Sequence, residues 1–221
     1  MEFDYFSQNQ NNAFNQNFHH KDQSIWCKVA YYELSNRVGE LFYARDHMDV
    51  KIDGFTSPGT DANRFSLGQL SNLNRNSSIE QVRRHIGNGI RLTWREGKVW
   101  IECLSESPIF IQSKNFNRAK GFNEFTVIKC FTGQSLIVFD GTTFGAQLED
   151  AVRYGYEHTY GLQKYCTIRM SFCKGWGADY HRQDVTSTPC WIEIHLTEPL
   201  RWLDSVLQAM DPPANNITSN S

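Results

Sequence analysis

From residue 26 onward, short apolar runs alternate with turn residues. Val29–Leu34, Val50–Asp53, Ile90–Trp94, Val99–Cys103, Ile109–Gln112, Thr126–Cys130 and Leu136–Phe139 are rich in β-branched and aromatic side chains. Cys166–Cys173 and Cys190–Leu196 repeat the pattern. Runs of this kind, with turn signals roughly every 8–12 residues, predict a β-sandwich or barrel. Gly97, between two of the runs, fits a hairpin turn. Three stretches instead show helical periodicity. The first starts at a capping box, Ser77-x-x-Glu80, carries Ile79, Val82 and Ile86, and ends near Gly87. The second runs from about Thr143 to Tyr160, with Phe144, Leu148, Val152 and Tyr156 on one stripe and Gly161 closing it. The third takes Thr197 as N-cap, with Pro199 in its first turn. Its apolar face is Leu200, Leu203, Leu207 and Met210, and Pro212-Pro213 stop it.

The last two strand-like runs are joined by an unusually long connection, Lys174–Pro189. It carries Lys174, Trp176, Tyr180, His181, Arg182 and Asp184. A hairpin needs neither that length nor that chemistry, and long ordered loops with aromatics and charges commonly do recognition work. Pinning by Trp176 and Tyr180 is the plainer alternative. Residues 1–24, rich in Asn, Gln, His and Phe, read as a disordered leader.

Composition narrows the function. The 221 residues are 40% hydrophobic and 14% aromatic, enough for one large packed domain or two small ones. A net charge of −2 gives no global drive toward nucleic acid. Residues 1–24 hold no apolar core of signal-peptide length, and no run approaches a membrane span. Cys27, Cys103, Cys130, Cys166, Cys173 and Cys190 form no CxxC pair and have no His at metal-ligand spacing. They read as buried free thiols of an intracellular protein. No nucleophile elbow or paired carboxylate motif is present, so the chain is expected not to be an enzyme and to need no cofactor. A hydrolase using Cys and His is the competing reading from another class.

The chain resembles the C-terminal Mad-homology domain of the Smad family. Carrying the resemblance are WCKVAYYEL (Trp26–Leu34), RVGELF (Arg37–Phe42), IDGF (Ile52–Phe55), LGQLSN (Leu67–Asn72) and RRHIGNG (Arg83–Gly89). So do ECLSESPIFIQS (Glu102–Ser113), the Cys166–Leu196 stretch and PLRWLDSVLQAM (Pro199–Met210). The resemblance implies a mainly β, forkhead-associated-like sandwich. A helical bundle caps one end; long loops and a helix sit at the other. It divides the chain into a leader (1–24), the domain (25–211) and a flexible tail (212–221).

It also implies a receptor-regulated signal transducer. The family's tail serines match Ser219 and Ser221, with Thr218 departing from the usual serine before them. Phosphorylation there by a type I receptor serine/threonine kinase is expected to drive trimers, homotypic or with a common-partner Smad. Movement from cytoplasm to nucleus and work with transcription cofactors are expected to follow. Lys174, Tyr180 and Lys129 match the family's phosphoserine-binding positions, and Asp53, Arg64 and Asp204 its trimer interface. Arg64→Cys or Asp204→His is then expected to prevent assembly and leave the monomer nearly intact; an internal salt bridge is the plainer alternative. His181 and Asp184 stand where the receptor branch is read and resemble the BMP branch, as do Lys120, Phe122 and Ser135. The family's N-terminal Mad-homology domain, which carries its zinc site and DNA contacts, has no counterpart in these residues. DNA is therefore expected only through partners, with no membrane insertion. A shortened regulatory member that antagonises full-length relatives is the alternative.

Overall fold

The computed structural model describes residues 25–45, 47–58 and 61–210. The leader and the tail serines Ser219 and Ser221 lie outside the described residues. Two sheets form the body. The larger contains β1 (Cys27–Glu33), β2 (Asn36–Arg37), β3 (Phe42–Ala44), β8 (Ile109–Ser113), β9 (Ile128–Cys130), β11 (Thr167–Phe172) and β12 (Trp191–Leu196). Its order is β2-β1-β12-β11-β8-β9, with β3 also on β1. The smaller contains β4 (Asp49–Asp53), β5 (Arg64–Ser66), β6 (Ile90–Arg95), β7 (Lys98–Cys103) and β10 (Ser135–Asp140), in the order β10-β7-β6-β4-β5. All pairings are antiparallel except β4 with β5.

The strands have the alternation that a sandwich requires. In β7, Val99, Ile101 and Cys103 are buried while the residues between them are half-exposed. Val29 and Tyr31 of β1, Ile168 and Met170 of β11, and Ile192 and Ile194 of β12 share one apolar core with Ile52, Leu92 and Ile101 of the facing sheet. The β6–β7 hairpin turns through Glu96 and Gly97, at φ of +52° and +72°, as a tight two-residue turn requires.

Five α-helices occur among the described residues. α1 (Ser77–Arg84) packs Ile79 and Val82 into the core. Its cap is Asn76, whose side chain accepts from Ile79 N at 2.9 Å, rather than a box beginning at Ser77. α2 (Lys114–Ala119) was not predicted by periodicity, because its buried positions are Asn115 and Asn117. These amides replace apolar packing with backbone bonds: Asn117 Nδ2 donates to Thr126 O at 2.8 Å, and Asn115 Oδ1 accepts from Asp140 N at 2.8 Å.

The single helix expected over 143–160 is two, α3 (Gly141–Val152) and α4 (Tyr156–Tyr160). Gly155, at φ +90°, breaks it. Gly161 stays helical and leads into a 3-10 turn over Gly161–Cys166. α5 (Thr197–Ala209) begins directly from β12, with Leu196 as N-cap, and the Thr197 hydroxyl donates to Ile25 O. Helices α3, α4 and α5 pack together through Phe144, Leu148, Leu203 and Leu207. A Cβ on Gly145 would come within 2.7 Å of the Trp202 ring, so this packing needs glycine there. The bundle adjoins the start of β11 and the end of β12; the long loop joins their other ends. The strands thus hold bundle and loop at opposite ends.

Candidate functional site

The long loop does not project freely. It folds back over the outer face of the larger sheet. One register row crosses that sheet: Lys129, Phe110, Ser171, Trp191, Tyr32 and Arg37. Phe110, Trp176, Val185 and Trp191 form a second buried cluster there, with Tyr32, Val127 and Tyr180 at its margin. Tyr32 stacks on Trp191 at 4.2 Å, and Trp191 Nε1 donates to Leu34 O at 2.7 Å. Trp176 is therefore an anchor. Burying a ring of that size contributes about 2–3 kcal/mol, enough to hold a loop that has little regular structure.

That anchoring sets Tyr180 against the same ring as Lys129, two of the three residues expected to bind phosphoserine. Lys129 projects from edge strand β9, next to Phe110 in register. Its ammonium stands 5.9 Å from the Phe110 ring centre and 4.8 Å from that of Phe131. Tyr180 meets the same Phe110 ring edge-on, with centroids 5.4 Å apart. Lys174 is tied in through its backbone, its carbonyl accepting from Ser171 Oγ at 2.6 Å. A Cβ on the following Gly175 would reach 2.5 Å from the Tyr180 ring, so only glycine lets the chain after Lys174 lie against that ring. Both lysines are exposed. Among the described residues neither has a carboxylate within salt-bridge distance, and the Tyr180 hydroxyl has no hydrogen-bond partner. Lys129 and Tyr180 thus share one aromatic floor, with exposed Lys174 at the start of the loop, and their chemistry suits a multiply charged oxyanion.

His181 and Asp184 lie exposed further along the loop. Asp184 precedes the 3-10 turn Val185–Ser187, yet its side chain makes no cap hydrogen bond. It is free to meet another molecule. Lys120, Phe122 and Ser135 are also exposed.

The three residues expected at a subunit interface divide. Asp53 is fully buried at the end of β4, and Arg64 on the paired β5 grips it with two bonds, Nε–Oδ2 at 2.6 Å and Nη2–Oδ1 at 3.1 Å. Lys51 adds a longer contact at 3.9 Å. Asp204 is exposed on α5 in the helical bundle. Asp53 and Arg64 thus form an ion pair within one chain. Arg64→Cys would take the two guanidinium bonds from a buried carboxylate and leave it Lys51 and the Phe55 N–H, which weighs against the expectation that the monomer stays nearly intact.

A second buried carboxylate escaped the reading of the sequence. Glu33, 1% exposed, closes β1. Arg75 Nε binds it at 2.8 Å, Arg83 Nη1 at 3.1 Å, Asn72 Nδ2 at 2.6 Å and the Tyr31 hydroxyl at 3.1 Å. Arg83 also donates to Leu67 O and Gly68 O, both at 3.2 Å. Together these bonds rivet residues 67–84 to the edge of the larger sheet. A charged residue at the inward register of an apolar strand was the available signal.

The thiols are not poised for chemistry. Burial pushes Cys190 up to about 12 and Cys130 up to about 11, and it raises Cys27, Cys103 and Cys166 as well. Nucleophilic thiols need the opposite environment. Among the described residues no group of His, Cys, Asp and Glu is arranged to hold a metal, and no helix is long and apolar enough to cross a membrane.

The molecule is a two-sheet sandwich with a helical bundle at one end and an anchored, charge-bearing loop at the other. The chain belongs to the MH2 domain family, which it matches over residues 24–197. MH2 is the C-terminal domain of Smad proteins, a protein-interaction domain and not a catalytic family, and it points to a Smad-type signal transducer. The fold is also similar to the crystal structure of STAT2 in complex with IRF9, with TM-score 0.55 and 9% identity over 84% of this chain and 99% of that one. The Interferon Regulatory Factor 9 IAD domain matches at TM-score 0.54 and 8% identity, covering 86% and 92% of the two chains. At such identities the likeness shows the fold alone.

Proposed function

We propose that this protein is a receptor-regulated Smad whose tail is switched by phosphorylation. A type I receptor serine/threonine kinase modifies Ser219 and Ser221. Each phosphoserine carries about −1.5 to −2 charges at neutral pH, and two of them two residues apart make a concentrated anion. The observation that carries the reading is the meeting of Lys129 and Tyr180 on the Phe110 ring, both without a polar partner among the described residues, with Lys174 exposed at the start of the same loop. A tail seated in the neighbour's site is a head-to-tail contact, and three such contacts close a ring, with itself or with a common-partner Smad. Asp204 on the bundle, and the outer edge of the Asp53–Arg64 pair, contribute to that ring. The ring enters the nucleus and regulates transcription with cofactors, meeting DNA through its partners. Exposed His181 and uncapped Asp184 offer the receptor a BMP-branch surface. A fixed negative charge at such a contact selects a basic receptor patch.

One experiment tests both parts. The chain is treated with the kinase domain of a BMP-type or of an activin-type receptor, and mass is followed by light scattering. The BMP-type kinase is expected to phosphorylate the tail and give trimers, and Lys174→Glu to keep the phosphates yet remain monomeric. A doubly phosphorylated chain that stays monomeric overturns the switch. Equal modification by both kinases overturns the branch assignment.

A further inference from the structure

We propose that Phe131 is a positioning residue of the phosphate-binding site, holding the Lys129 ammonium ready for the incoming anion. The inference rests on the reading above and adds a residue that reading does not use. Lys129 and Phe131 are two residues apart and leave the chain on the same side, at the open end of edge strand β9. The ammonium lies between two rings, 4.8 Å from Phe131 and 5.9 Å from Phe110. Phe110 is buried and has a packing role of its own; Phe131 is 51% exposed. A half-exposed ring is ordinary by itself; what marks Phe131 is its contact with a cation that has no carboxylate partner among the described residues.

The backbone around the ring is fixed. Phe131 N donates to Gln134 Oε1 at 2.8 Å, and Gln134 N returns a bond to Phe131 O at 3.0 Å. Thr132 Oγ1 donates to Ser105 O at 2.7 Å and Gly133 N to Cys103 O at 2.8 Å, tying the turn to the smaller sheet. The backbone that carries the ring is therefore held in place beside Lys129.

Three physical effects follow. A free lysine loses much of its rotamer freedom on pairing, and a stem already lodged against rings has less to lose. The ring faces satisfy one side of the ammonium electrostatically and leave its other N–H groups free for phosphate oxygens. The rings also displace water, so the ion pair forms in a medium of lower dielectric. A rigid aromatic bracket thus strengthens an exposed lysine–phosphate contact that would otherwise be weak.

The test uses the full chain and a synthetic peptide of residues 212–221 phosphorylated at Ser219 and Ser221, with binding followed by fluorescence anisotropy. Phe131→Ala is expected to weaken binding about three- to fivefold, the scale of one exposed cation–π contact. Its thermal midpoint and its salt dependence should match the parent, because the lysine charge is retained. Phe131→Trp should restore affinity. Phe131→Leu, apolar but without a π face, should not. Lys129→Ala should weaken binding further and flatten the salt dependence. Unchanged or tighter binding by Phe131→Ala, alongside a loss in Lys129→Ala, overturns the inference alone. Full rescue by Phe131→Leu also overturns it, since plain apolar contact then suffices. If Lys129→Ala binds like the parent, the phosphate-site reading itself falls.

Discussion

Glu33 and the loop site both use charge, and they use it in opposite ways. Glu33 is buried, and Arg75, Arg83, Asn72 and Tyr31 meet its two oxygens from four directions. Lys129 and Lys174 are exposed on the same sheet and its loop, and neither has a carboxylate partner among the described residues. A buried charge must be satisfied inside the molecule, because desolvation otherwise destabilises the fold by several kcal/mol. An exposed charge is solvated whether or not it is paired, so leaving it open costs the fold almost nothing and keeps it available. Closed networks in this molecule hold segments together, and open ones are where another molecule can bind. The Asp53–Arg64 pair lies between the extremes, with its carboxylate buried and its guanidinium reaching partly into solvent.

The sharpest way to break the comparison is Glu33→Gln. The shape survives, but half-buried Arg83 loses its counter-charge and Arg75 keeps only Glu80, at 3.8 Å. Stability should fall by about 3–5 kcal/mol. For a domain of this size that lowers the thermal midpoint by roughly 10 °C, readable in a calorimetric or circular-dichroism melt. A fall of only a degree or so would mean that the arginines find water instead, and that Glu33 does not anchor residues 67–84.

Arg64→Ala should cost about 2–3 kcal/mol, less than Glu33→Gln because Lys51 remains near Asp53. Asp204→Asn, on an exposed helix face, should stay within about 0.5 kcal/mol of the parent. Urea unfolding of the unphosphorylated chain separates the two. If both variants unfold like the parent and both fail to assemble after phosphorylation, the Asp53–Arg64 pair serves the interface and not the monomer.

Gln147 sharpens the rule from the other side. It is 8% exposed on α3, and among the described residues neither its amide nitrogen nor its oxygen has a partner. A buried polar group left unpaired destabilises, so Gln147→Leu should raise stability by about 1–2 kcal/mol. A loss of stability in the same denaturant titration would show that the amide is satisfied by bound water.

Much of the architecture is legible in residue order. Val99, Ile101 and Cys103 alternate because one face of a strand is buried, and that alternation survives any detail of packing. The loop over 174–189 is marked by length and aromatic content, and the family resemblance carries its Lys174, Tyr180 and Lys129. What the chain does not display locally is partnership. Helix α2 is invisible to periodicity because Asn115 and Asn117 satisfy backbone groups from β10 and from the segment after α2. The break at Gly155 in place of Gly161 depends on which glycine tertiary packing forces to positive φ. The outcome at Asp53 follows from the pairing of β4 with β5, which brings a residue eleven positions away within 2.6 Å. The cluster on Glu33 needs residues 39, 42 and 50 positions distant. Hydrophobic pattern is a property of neighbours in sequence, so the sequence by itself determines strands, most helices and the position of the loop. Whether a given charge ends up closed or open is decided by which segments the sheets bring side by side, and only the tertiary structure sets that.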